Sequence, residues 1–195
     1  MTPGRAALIG LMRRYLAGLM DPFVSLLEVH KLMYFMQGAG ERLLLGYVKA
    51  PYGPYAENLG HVLRMLEGHY ISGYGDAVDA PGLPLELLPR AVDEAEAFLA
   101  AHPETRRRFD RVADLVDGFE TPFGLELLST VHWVATREGA ATHEKAVERT
   151  FAWSDRKRRF SEDQIRLSFQ ILQQKGWLTA SVSAAGAPRP GDILP

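Results

Sequence analysis

Apolar residues recur at a helical period through most of the chain, and the helices they predict follow one another across short connections. Pro3 is tolerated in a first helical turn, and Leu8, Leu11, Met12, Tyr15 and Leu19 then predict a helix over about residues 4–19, ending near Asp21-Pro22. Ser25 can cap a second helix whose Leu26, Leu27, Val29, Leu32, Met33, Tyr34, Phe35 and Met36 are apolar nearly all round, the pattern of a central helix covered by others. It stops at Gly38 and Gly40. "LLLGYVKA" predicts a short strand, half of a ribbon, before Pro51, Gly53 and Pro54 force a turn. From Ala56, the residues Leu59, Val62, Leu63, Leu66 and Tyr70 form one helical stripe. Helices are predicted over 90–101, 104–118, 122–137, 142–153 and 161–175, with Thr121 capping before Pro122 and Ser161-Gln164 forming a capping-box pattern.

Between these elements, "SGYGDAVDAPGLPLELLP" is a long irregular segment of the kind associated with functional loops. Beyond Leu178, residues 179–195 predict a flexible tail. The pattern as a whole predicts a mainly α fold: a multi-helix bundle with a small β ribbon, forming a single domain over 1–178, and a winged-helix-like C-terminal subdomain is one reading of its last helix.

At 195 residues and 47% hydrophobic content the chain can bury a full core. Its net charge of -2 gives no global attraction to nucleic acid or an acidic membrane. The charge is uneven, because the stretch 72–104 is strongly acidic. The chain contains no cysteine, so disulfides and thiolate metal sites are excluded and a cytoplasmic location is expected. Arg5, Arg13 and Arg14 interrupt the apolar start, which argues against export and membrane insertion.

Familiar catalytic chemistry lacks a motif here. "GYGDAVDAPG" misses the spacing of a phosphate loop, and there is no H-E-x-x-H or G-x-S-x-G. His61 and His69, on one predicted helix, would lie about 12 Å apart along its axis and could not share a metal. His132 is expected as a hydrogen-bonded core histidine, and the six-residue offset of Glu120 and Glu126 sets them on different faces. No enzymatic activity, cofactor or metal is expected on this reading.

The sequence instead draws attention to "KLMYFMQ", where Lys31 interrupts an apolar face, and to "PYGPYAENL". Lys31 either snorkels to water, the expectation here, or pairs its ammonium specifically. Tyr47, Tyr52, Tyr55, Tyr70 and Tyr74 exceed what plugging a core edge requires and suit a binding surface.

The order "KLMYFMQ", a short strand, "KAPYGPYAENLGHVLRMLEGHYISGYGD" and "FETPFGLELLSTVHWVA" resembles the C-terminal, toxin-binding region of DarG-type antitoxins over roughly residues 25–178. More distantly it resembles the Panacea (SocA-like) antitoxin domain. The resemblance implies an inhibitor that binds a DarT-like DNA ADP-ribosyltransferase toxin, with a macrodomain preceding this region in the full-length protein and no direct contact to nucleic acid. Partner-binding residues are expected at Lys49, Tyr52, Tyr55, Glu57, Asn58, His69, Tyr70, Tyr74, Asp76 and Asp79. In this reading the segment from His69 to Asp79 mimics single-stranded DNA, with tyrosines in place of bases and carboxylates in place of phosphates. The competing expectation is a winged-helix DNA-binding regulator using the basic stretch 156–159, against the plainer reading of that stretch as a solvated loop.

Overall fold

A computed structural model describes residues 1–19, 23–75 and 80–178. Eight α-helices lie among them, in the order α1 (Pro3–Leu19), α2 (Leu26–Gly38), α3 (Leu59–Leu66), α4 (Pro89–Ala101), α5 (Pro103–Val116), α6 (Pro122–Arg137), α7 (His143–Trp153) and α8 (Glu162–Gln174). The fold is mainly α with a small β component. The predicted tail at 179–195, and with it the strand a winged-helix unit would need after α8, lies outside the described residues.

The centre is α2. Every residue from Leu26 to Met36 is buried, charged ones included. Its start is fixed by a capping box: the Ser25 hydroxyl accepts from the Glu28 amide, and the Glu28 carboxylate accepts from the Ser25 amide at 2.7 Å. The same carboxylate accepts from the Tyr15 hydroxyl of α1, which satisfies the buried acid. Helices α1, α5 and α6 pack around α2, with α4 on the far side of α1 and with α7 and α8 on α6. The α6 start follows its sequence, since the Thr121 hydroxyl accepts from the Gly124 amide at 2.9 Å and Pro122 takes the first turn.

Among the described residues there are also two small antiparallel sheets. One is the predicted ribbon, β2 (Val48–Ala50) with β3 (Gly53–Tyr55), in the register Val48 to Tyr55 and Ala50 to Gly53. The strand expected over 43–50 is therefore confined to its last three residues. Ahead of it the chain is irregular and held by amides: the Gln37 side chain brackets Leu45 with bonds of 2.8 and 2.9 Å, and Asn58 bridges Leu44 and Gly46.

The other sheet orders β1 (Val24–Ser25), β5 (Pro84–Leu87) and β4 (Ile71–Ser72) with β5 in the middle. It organises part of the segment predicted to be irregular. The stripe predicted to run to Tyr70 ends at Leu66, where Gly68 turns the chain with a φ of +72°. His69 is consequently not on a helix with His61.

Candidate functional site

The ribbon lies against α2 and α6, and three buried charges meet beneath it. Lys31, 2% exposed, donates from Nζ to the Pro54 carbonyl at 2.7 Å. Snorkelling is thus corrected: the side chain is buried beneath the ribbon and its ammonium turns to a strand carbonyl. Glu126 of α6, 1% exposed, accepts from Lys157 Nζ at 2.7 Å and from Arg156 Nη2 at 3.2 Å, with Arg159 3.8 Å away.

Lys157 belongs to the 3-10 turn Asp155–Arg159 and is wholly buried. The basic stretch therefore is not a solvated loop. Its first cations anchor the chain to a carboxylate in the bundle, while Arg158 remains two-thirds exposed.

Close approach of the ribbon depends on Gly53. Its φ is +95°, and a Cβ there would stand 3.2 Å from Thr130 Oγ1, 3.4 Å from Ser129 Oγ and 3.5 Å from Lys31 Cε. The Trp153 indole at the end of α7 donates to the Ala50 carbonyl at 2.9 Å, tying the ribbon to the second helical layer.

Electrostatics follow from this burial. Lack of water pushes the Lys31 ammonium down to about 7; the nearby positive charge of Lys157 adds to the effect and Glu126 opposes it. Burial also lowers Lys157, against the pull of Glu126. For Glu126, burial acts to raise the carboxyl, but its bonds to Lys157 and Arg156 outweigh it and leave the group below the usual carboxylate range. Glu126 is therefore ionised and committed to its partners at neutral pH, whereas Lys31 titrates there.

Between the first turns of α2 and the ribbon is a cavity of about 330 Å³, lined by Leu27, His30, Lys31, Tyr52, Tyr55 and Pro81 among others. His30 and Tyr55 stack with centroids 4.4 Å apart. The Arg156 guanidinium lies 4.0 Å over the Tyr52 ring, and Lys49 sits 4.5 Å over Trp153 while pairing with Glu138 at 2.7 Å. An apolar pocket with one amine that titrates near neutrality can bind a flat ligand, donate hydrogen bonds to it, and give or take a proton.

The residues expected to form a binding surface are divided. Tyr52 and Tyr55 line this cavity, with Lys49 beside it. Glu57, Asn58 and Tyr74 line a second, more polar hollow of about 590 Å³ with His61 and Arg64. Tyr70 is half-buried and donates to Glu94 of α4 at 2.8 Å, and His69 is exposed nearby in the chain. Tyr74 is only 2% exposed, packed under Gly60 of α3, so it cannot present a ring in place of a stacked base. Asp76 and Asp79 lie outside the described residues.

Lys31 was visible in the sequence as a charge in an apolar run, but Glu126 was weighed only against Glu120 and Lys157 only as part of the basic stretch, so their pairing was missed. Glu126 carries the same signal, one carboxylate within "PFGLELL". His132 is 8% exposed, with Nδ1 2.7 Å from the Tyr34 hydroxyl, and burial pushes it down to about 4, which makes it a neutral core group. Among the described residues no group of three or more His, Cys, Asp or Glu could hold a metal, and no described helix is long and apolar enough to cross a membrane.

No family model matches the chain. It is 44% identical over 178 residues to the DNA ADP-ribosyl glycohydrolase of Thermus aquaticus, an alignment that covers 91% of this chain and 48% of that protein. It is 38% identical over 185 residues to the DNA ADP-ribosyl glycohydrolase of Mycobacterium tuberculosis, covering 88% of this chain and 53% of that one. The chain spans about half the length of the curated relatives it matches.

These names correct the functional expectations. Relatives aligned along nearly the whole chain are named for hydrolysis of ADP-ribosyl groups on DNA and not for binding a toxin. That overturns the resemblance to a toxin-binding antitoxin region, the inhibitor reading with its DNA mimicry, and the expectation of no enzymatic activity. The winged-helix regulator fares no better: it finds no support in those names, and part of its basic stretch is buried.

Proposed function

We propose that this chain works in the removal of ADP-ribosyl groups from DNA, within a glycohydrolase of the kind its relatives are named for, in the cytoplasm. The observation that carries the reading is the 44% identity sustained over 178 residues. The cavity at Lys31 is the place in the described chain best suited to handle such a substrate. It combines apolar walls, flat rings and an amine that is partly neutral at neutral pH, whereas the buried carboxylates Glu28 and Glu126 are held in hydrogen bonds that fix helix starts and the basic turn. In this role Lys31 hydrogen-bonds or protonates a group of the bound substrate, and the tyrosines exclude water around it. The test is release of free ADP-ribose from an ADP-ribosylated single-stranded oligonucleotide by the 195-residue chain, with a full-length relative as the reference. Release that depends on Lys31 supports the reading, and no release under conditions where the relative is active contradicts it.

A further inference from the structure

Lys31 is a buried amine that lines a cavity, and a single polar bond holds it. Its Nζ donates to the Pro54 carbonyl at 2.7 Å, and no other acceptor lies within bonding distance among the described residues. The charges around it are unbalanced. Glu126 is one carboxylate set against Lys157 at 2.7 Å, Arg156 at 3.2 Å and Arg159 at 3.8 Å. At Lys31 the positive charge of Lys157 outweighs the negative charge of Glu126. Among the described residues no carboxylate lines the cavity: its other polar side chains are the Tyr52 and Tyr55 phenols and the His30 imidazole. Burial opposes a charge of either sign on this side chain, but the local field opposes only a cation.

We propose that Lys31 is a modification site for carbon dioxide: its amine takes up CO2 from the cavity and becomes a lysine carbamate. The amine nitrogen bonds to the carbon of CO2, one carbon–oxygen π pair moves onto oxygen, and one N–H proton leaves to water. Lys-NH2 and CO2 thus give Lys-NH-COO⁻ and H⁺, with no oxidant or reductant. Three features suit this product. The carbamate nitrogen keeps one N–H, which can go on donating to Pro54. Its carboxylate adds a second anion where three cations share one. CO2 is small and apolar, and Leu26, Leu27 and Pro51 give the cavity walls that admit it. Burial also supplies the reactive form, since an amine held near 7 is partly unprotonated at neutral pH whereas an exposed lysine is not. Carbamate formation removes the amine used in the proposed hydrolysis, so CO2 would restrain that step; this consequence rests on the glycohydrolase reading, and the covalent bond does not.

The experiment is carbon NMR of the 195-residue chain in ¹³C-labelled bicarbonate at about pH 8, followed by alkyl trapping of carbamates and peptide mapping. The Met1 α-amine is the internal comparison, because α-amines also take up CO2. The expected result is a second carbamate signal that maps to Lys31, with occupancy at least tenfold above that of any other lysine. The signal should vanish in Lys31→Met and Lys31→Arg and on unfolding in denaturant. Bicarbonate should also raise the melting temperature of the wild type and leave that of Lys31→Met unchanged, since a ligand bound only by the folded state stabilises it. Thermal melting establishes that each variant is folded. No label on the Lys31 peptide of the folded wild type, equal labelling of the exposed lysines, or a second signal that persists in a folded Lys31 variant overturns the proposal. The labelling reads the bond itself, so its result stands whether or not the chain releases ADP-ribose.

Discussion

Lys157 Nζ stands 2.7 Å from Glu126 Oε1, and neither side chain is more than 1% exposed. The pair joins the basic turn to α6 and, through Arg156 on Tyr52, to the ribbon. A buried ion pair costs desolvation on both sides, so its loss is asymmetric: removing one partner strands the other charge. Glu126→Gln should therefore destabilise the chain by about 3–5 kcal/mol, measured by denaturant unfolding. The double variant Glu126→Leu with Lys157→Met should recover much of that loss. A double variant no better than the single one would show that the pair acts through more than its charge.

Lys31 makes stability depend on pH with a definite sign. Its amine titrates near 10.5 when unfolded and near 7 when folded, so between those values the unfolded chain binds the extra proton. The penalty for a buried charge is fully present below about pH 7 and is relieved as pH rises toward 10. At about 1.36 kcal/mol per unit this amounts to roughly 3–5 kcal/mol. Melting temperature should climb from pH 7 to 9.5, and Lys31→Met should be more stable at pH 7 and show little of that climb. A flat wild-type profile over the same range would refute the assignment.

His132 and Glu126 act in the same direction at lower pH. The His132 imidazole is held down to about 4 against an ordinary 6.5, so stability should fall as pH drops through that window. Glu126, also depressed, adds a further loss below the usual carboxylate range. Histidine NMR titration checks this directly: the His132 ring should remain neutral at pH 5.5.

Gly53→Ala should cost about 1–3 kcal/mol, because φ is +95° there and the new methyl meets Thr130, Ser129 and the Lys31 stem. It should also move the ribbon away from α2, so ligand binding at the Lys31 cavity should weaken beyond what unfolding explains. Unchanged stability would mean that the ribbon is not seated against α6 as described.

Much of the helical architecture was legible because its signals are local. The cap at Thr121-Pro122, the capping box at Ser161-Gln164 and the apolar stripe of each long helix depend on residues a few positions apart. What escaped depends on distant partners. β5 sits among prolines and glycines and becomes a strand only because Val24–Ser25 and Ile71–Ser72 pair with its two edges. "RKRRF" looks solvated until Glu126, some thirty residues earlier, is placed beneath Lys157. Lys31 was singled out, but its burial follows from the ribbon that covers α2. Tyr74 looked like surface because loop position was taken for exposure, while it packs under α3. The resemblance assigned this chain a binding role without catalysis, whereas relatives 44% and 38% identical to it over the aligned residues are named as glycohydrolases.

The central claim is that the chain takes part in freeing ADP-ribose from DNA and that Lys31 contributes to it. The most direct measurement follows free ADP-ribose released from an ADP-ribosylated single-stranded oligonucleotide under single-turnover conditions, with wild type and Lys31→Met at equal folded concentration. The account predicts release by the wild-type chain and a rate at least tenfold lower in Lys31→Met, a loss of about 1.4 kcal/mol or more of transition-state stabilisation. No release by the wild-type chain, or equal rates in the two, would contradict it.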